Sequence, residues 1–200
     1  MVNDKPIKIL LLGESRVGKT SLINVSLGRN FIDDSITTKS CYYSESSFTY
    51  NDKTYIYNIW DTAGQEQYRS LNKIFLRKGN KNLLVYSIDN ERSFYEIKFW
   101  LNCKRKFMRR KLYFSFNSNK ADLYEEQIVS EELEREFAQK NSMRFNMTSA
   151  KTDSKQFKTF LIDSLKDYID SLKNKSHNKN SNSIEIKDSK RKQKRKKKYC

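Results

Sequence analysis

The sequence predicts an α/β fold: a six-stranded, mostly parallel sheet with one antiparallel strand and helices on both faces. Three observations carry that prediction. Short apolar runs alternate with stretches of helical spacing, the order expected of parallel strands joined by helices. The first run, Lys8 to Leu12, passes straight into a glycine-bearing loop and then a helical segment. The second and third runs are joined by Tyr50-Asn51-Asp52-Lys53, a hairpin signal that makes those two strands antiparallel.

In chain order, strands are expected near Lys8 to Leu12, Tyr42 to Thr49, Thr54 to Asp61, Asn82 to Ser87, Leu112 to Asn117 and Arg144 to Thr148. Helices are expected after the glycine loop, after the Gln65 segment, and over Glu91 to Met108, Ser130 to Lys140 and Ser154 to Leu172. In the last of these, Phe157, Phe160, Leu161, Leu165, Tyr168, Ile169 and Leu172 keep one apolar face. Ser130 is placed to cap its helix, with Glu131 and Glu132 in the favourable first turn. Open sheets of this kind bind ligands at the carboxyl ends of their strands, and every motif below falls there.

Gly13-Glu14-Ser15-Arg16-Val17-Gly18-Lys19-Thr20, followed by Ser21, is the G-x-x-x-x-G-K-[ST] pattern between a strand and a helix. Its backbone N–H groups and the helix N-terminus form an anion nest, Lys19 reaches the β- and γ-phosphates, and the Thr20 hydroxyl ligates Mg²⁺. Trp60-Asp61-Thr62-Ala63-Gly64-Gln65-Glu66 closes the third strand. There Asp61 can hold Mg²⁺ through water, Gly64 lets a backbone N–H approach a phosphate oxygen, and Gln65 can orient a water toward that phosphate. Asn119-Lys120-Ala121-Asp122 follows the fifth strand. The Asp122 carboxylate accepts two hydrogen bonds from the N1–H and N2–H₂ edge of guanine and is left unpaired against adenine. Asn119 braces the loop and the Lys120 stem lies over the ring. The backbone N–H groups of Ser149-Ala150-Lys151 follow the sixth strand, where they can meet the guanine carbonyl.

These motifs, in this order, resemble the small GTPases of the Ras superfamily, and within them the Rab family, from about Lys8 to Leu172. The resemblance implies a P-loop NTPase small G domain over 1–172 that binds GTP and GDP with Mg²⁺ and slowly hydrolyses GTP. It assigns Thr38 as the switch threonine sensing Mg²⁺ and the γ-phosphate, and Phe31 as the aromatic stacked on the guanine. The segment Phe31 to Thr38 looks most like the endosomal Rab branches. Implied partners are an exchange factor, a GTPase-activating protein, a dissociation inhibitor, and effectors meeting Lys39, Tyr43, Trp60, Gln67 and Phe75. The chain is expected to be a monomer, in the cytosol and on the cytoplasmic face of endomembranes.

The departures concern partners more than chemistry. Lys39-Ser40 stands where most Rabs have Ile-Gly, and Gln67 where they usually have Arg. Arg16 occupies a position that is mostly small in the family. A solvated Arg16 is the preferred reading, and a guanidinium acting on the phosphates the sharper one.

Of the net charge of +16, twelve Lys or Arg against Glu185 and Asp188 from Lys173 onward hold +10, leaving +6 for the rest. The region 173–200 is expected to be a disordered basic tail. No segment has the apolar length of a transmembrane span, the N-terminus lacks a signal peptide's apolar core, and with Val at position 2 N-myristoylation is not expected. Cys41, Cys103 and Cys200 show no metal-ligand spacing and are expected to be reduced, and the lone His177 lies in the tail, so a histidine base is not expected. By the Rab resemblance Cys200 is the candidate for geranylgeranylation, although a single terminal cysteine departs from the usual endings. One acyl chain of the myristoyl class gives about 5.5 kcal/mol of membrane partition, and the basic cluster adds a few more against an anionic leaflet. Two other readings are weighed: a hydrolysis-impaired nucleotide-binding module with altered switches, and a nucleic-acid-associated GTPase using the basic tail, ranked below membrane trafficking.

Overall fold

A computed structural model describes residues 5–33, 42–61, 79–107 and 113–174. The elements are β1 (Ile7–Leu12), α1 (Lys19–Ser26), β2 (Tyr42–Tyr50), β3 (Lys53–Asp61), β4 (Lys81–Ser87), α2 (Glu91–Phe107), β5 (Tyr113–Asn119), a 3-10 turn (Ala121–Glu126), α3 (Glu131–Lys140), β6 (Arg144–Met147) and α4 over 154–174. All six expected strands are present. The helix expected after Gln65 lies outside the described residues. The sixth strand stops one residue short of the expected Thr148, whose N–H still donates to the Ser118 carbonyl at 2.8 Å.

The six strands form one sheet in the order β2-β3-β1-β4-β5-β6, with β2 antiparallel to β3 and every other neighbouring pair parallel. The hairpin between β2 and β3 has two central residues, Asn51 at φ 50° and Asp52 at φ 57°. Two positive φ angles make the primed turn that matches strand twist, and Asn and Asp tolerate that region best after glycine. Tyr50 therefore faces Lys53, and the ladder runs on to Tyr43 opposite Trp60.

β1 and β4 are almost wholly buried, which is why they read as continuous apolar runs rather than alternating ones. Leu10, Leu12, Leu84 and Phe116 join Phe94, Ile97, Trp100 and Leu101 of α2 in a buried cluster. The helical residues recur at the spacing of one face. Tyr86 stacks on Phe116 with ring centroids 5.5 Å apart, and Phe94 meets Tyr86 edge-on at 5.2 Å. Such pairs add roughly 0.5–1.5 kcal/mol beyond their burial.

Ser130 caps α3 as expected, its hydroxyl accepting from the Leu133 N–H at 3.3 Å. Asn90 does the same for α2 through the Ser93 N–H at 3.0 Å. Asp153 precedes α4 and accepts from the N–H groups of Lys155 and Gln156, both at 3.0 Å. The chain divides after Ser164 into two compact units. In the first, α4 buries Phe157, Phe160 and Leu161; in the second it buries Leu165, Tyr168 and Ile169.

Glu134 breaks the rule that acidic residues of α3 face water. It is fully buried, and one carboxyl oxygen accepts from the Tyr86 hydroxyl. Its other oxygen is buried without a hydrogen-bond partner among the described residues. Burial pushes its pKa up from 4.5 to about 8, with Arg135 opposing. The carboxyl is thus protonated in the folded chain at neutral pH and ionised when unfolded. This contribution to stability is fully present below pH 4.5 and is lost as pH rises through about 8. Glu134→Gln, which keeps an acceptor for Tyr86, is expected to abolish this component. Urea unfolding of parent and variant at pH 5 and pH 8.5 should show the variant gaining a few kcal/mol relative to the parent at the higher pH. A pH-independent difference between the two would refute the assignment.

Candidate functional site

The site is assembled where β1, β3, β4, β5 and β6 end. β1 stops at Leu12 and the chain turns at Gly13, whose position allows no side chain: a Cβ there would lie 2.0 Å from the Val85 carbonyl oxygen of β4. The loop leads to Gly18 at φ 87°, where a Cβ would lie 2.2 Å from Asn119 Nδ2. Gly18 is also the N-cap of α1 and supplies no side-chain cap, so the first amides of α1 are left to an anion. Glu14 and Ser15 are half-buried and Val17 is buried. Arg16 is exposed at φ 63°, in agreement with the solvated reading of its side chain.

Lys19 is buried, and its ammonium donates to the carbonyls of Gly13 at 3.1 Å and Glu14 at 2.7 Å. Burial lowers its pKa from 10.5 to about 8, with Asp61 and Glu14 pulling the other way. Thr20 donates its hydroxyl proton to Asp61 Oδ2 at 2.6 Å. The two meet because Leu11 of β1 pairs with Asp61 at the end of β3. Asp61 is buried, which raises its pKa against the Thr20 hydrogen bond and the Lys19 charge.

These residues fit a hard cation. Asp61 Oδ1 is buried with no hydrogen-bond partner among the described residues, beside the Thr20 hydroxyl on Oδ2. Carboxylate and hydroxyl oxygens suit Mg²⁺. No cluster of three or more His, Cys, Asp or Glu that could hold a metal occurs among the described residues.

The base loop is tied to the phosphate loop by Asn119. Its Nδ2 donates to the Val17 carbonyl at 2.8 Å, and its Oδ1 accepts from the Ala150 N–H at 3.3 Å. Ser149 donates its hydroxyl proton to Asp122 Oδ1 and accepts from the N–H groups of Lys151 and Thr152, each at 3.1 Å. The carboxylate expected to read guanine is thus held in place by the sixth-strand loop. Of the amides expected to face the guanine carbonyl, that of Ala150 donates to Asn119 and that of Lys151 to the Ser149 hydroxyl.

Two partners went unrecognised in the sequence. Lys120, at φ 64°, places Nζ 3.0 Å from Asp89 Oδ2, and Asp89 is itself held by the Ser87 hydroxyl. Arg92 pairs with Glu14. Position at the carboxyl end of β4 was the available signal for Asp89.

Phe31 is half-buried, and its loop meets the base loop through Asp33 and Lys151, whose charged atoms lie 3.4 Å apart on exposed side chains. Tyr43 stacks on Trp60 with centroids 5.3 Å apart and is 58% exposed. Thr38, Lys39, Ser40, Gly64, Gln65, Gln67, Phe75 and Cys200 lie outside the described residues.

A family model described as Ras family matches residues 8–168. The chain is 37% identical over 145 residues to Ras-related protein Rab-2B of Dictyostelium discoideum, a match covering 72% of this chain and 72% of that protein. It is 34% identical over 164 residues to Ras-related protein Rab-21 of Bos taurus, covering 82% of this chain and 73% of that one; Rab-21 of Canis lupus familiaris matches to the same extent.

The state of Lys19 makes anion binding pH-dependent. Phosphate binds the ammonium form, so affinity should be insensitive to this group below about pH 8 and decline above it, approaching about tenfold per unit. Titration with a fluorescent GDP analogue between pH 7 and 9 checks this; unchanged affinity at pH 9 would contradict it.

Proposed function

The chain belongs to the Ras family of small GTPases, in its Rab branch, and from that premise we propose a membrane-trafficking switch that binds GTP and GDP with Mg²⁺ and hydrolyses GTP slowly. The observation that carries the proposal is Asn119, whose one side chain joins the phosphate loop at Val17 to the base loop at Ala150. A single ligand with phosphates at one end and a guanine at the other fits that bridge. The domain comprises 1–172 and the basic tail 173–200.

Lys19 and the amides at the start of α1 take the phosphate charge, while Asp122, fixed by Ser149, takes the guanine N–H groups. Phe31 and the Lys120 stem flank the ring. Thr20, Thr38 and, through water, Asp61 would hold Mg²⁺, which supplies charge neutralisation on the phosphate oxygens. Gln65 orients the attacking water and the Gly64 N–H meets the γ-phosphate. No side chain among these is a strong general base, so the unaided rate is low. The Ras figure of roughly 3–5 × 10⁻⁴ s⁻¹ rises about 10⁵-fold with an activating protein. Thr38 and Gly64 are held by the γ-phosphate and released after its loss, and that change is what partners read.

An exchange factor, a GTPase-activating protein and a dissociation inhibitor act on the cycle. Effectors meet Lys39, Tyr43, Trp60, Gln67 and Phe75. The tail and a prenyl group on Cys200 together place the protein on the cytoplasmic face of an endomembrane of the endosomal type, in exchange with cytosol, because neither a single lipid nor the basic cluster suffices alone.

Single-turnover hydrolysis, with and without a GTPase-activating protein, tests the switch. Gln65→Leu is expected to keep GTP bound and lose at least tenfold in the stimulated rate. Undiminished hydrolysis would remove Gln65 from the mechanism, and no hydrolysis in the parent would favour a static binding module. For the tail, Cys200→Ser should turn a membrane-bound tagged protein diffuse; persistent membrane localisation would defeat the lipid assignment.

A further inference from the structure

Arg92 lies in the first turn of α2, outside every nucleotide motif, yet it reaches the phosphate loop. Its Nε stands 3.1 Å from Glu14 Oε1. Arg92 is 65% exposed and the Glu14 side chain only 14%, so the pair joins a solvated cation to a largely buried carboxylate. The second Glu14 oxygen is buried without a hydrogen-bond partner among the described residues. The backbone carbonyl of the same residue accepts the Lys19 ammonium at 2.7 Å, shorter than the 3.1 Å contact to Gly13.

We propose that Arg92 and Glu14 form a clasp that keeps the phosphate loop in its binding shape, making Arg92 a positioning residue for phosphate recognition and a brake on nucleotide release. The inference rests on the nucleotide reading above. Glu14 carries both contacts, its carboxylate meeting Arg92 and its carbonyl taking the Lys19 ammonium. A buried carboxylate is tolerated only beside a cation, and without Arg92 it relieves its charge by turning toward water. The Glu14 carbonyl moves with it, and Lys19 loses its shorter contact. As an ion pair with one exposed member, the clasp adds little to global stability, so its effect falls on local geometry.

Release of a fluorescent GDP analogue from the loaded, full-length protein distinguishes the possibilities. Arg92→Met and Glu14→Gln should each speed release by roughly three- to tenfold, and the double variant should be no faster than the faster single. Arg92→Lys should recover part of the parent's retention. That rescue separates the clasp from a merely structural role, because lysine restores the charge beside Glu14 whereas methionine restores only the bulk. Single variants within twofold of the parent, or effects that multiply in the double, overturn the clasp. A parent that retains no GDP overturns the nucleotide reading and the clasp together; a parent that retains GDP beside unchanged variants overturns the clasp alone.

Discussion

The carboxamide of Asn119 is the constraint on which the site's geometry depends. It comes from the last residue of β5, and it spends its donor on the Val17 carbonyl and its acceptor on the Ala150 amide. Three segments far apart in sequence are thereby held at fixed separation. Gly18 permits this closeness, since any side chain there would collide with the Asn119 amide nitrogen. Asn119 is itself buried and anchored, its carbonyl accepting from the Ile88 N–H at 3.1 Å. A carboxylate at this position would have no proton to offer Val17. A leucine would leave both loops with unpaired buried groups, at a cost of about 1–3 kcal/mol each.

Around this frame the fold stores charge in anticipation of a ligand. Lys19 and Asp61 are both buried, both displaced toward their neutral forms by burial, and each resists that displacement through the other. An anion beside Lys19 and a cation beside Asp61 would each supply compensation that burial withholds. Such prepaid desolvation is how a small site of few side chains binds a highly charged ligand without reorganising.

Much of this was legible in the chain because the decisive residues sit at strand ends, where local patterns mark them. Gly13 to Thr20, Asp61, Asn119 and Asp122 each follow an apolar run, and the structure places them where that position implies. The less legible features depend on packing between elements distant in sequence. Arg92 and Asp89 pair with Glu14 and Lys120 only because β4 lies between β1 and β5, which no local pattern states. The burial of Glu134 on a helix rich in acidic residues is likewise a matter of packing, its carboxyl meeting the Tyr86 hydroxyl on β4. α4 starts at Ser154 as expected, and the residue before it, Asp153, caps it by accepting from two amides.

The two-residue turn at Asn51 and Asp52 is remote from the nucleotide, at the opposite end of a nine-residue strand. It nevertheless acts as a ruler for the face on which Tyr43 and Trp60 stack. Strand pairing has a period of two, so the length of the turn, with the apolar pattern of the strands, brings Tyr43 out beside Trp60 on the same face. β3 takes its own register from β1, and Asp61 stays with Thr20 however β2 is aligned. The register of β2 and the placement of Asp61 beside Thr20 therefore rest on different contacts: the turn bears on the first, and the pairing of β3 with β1 on the second.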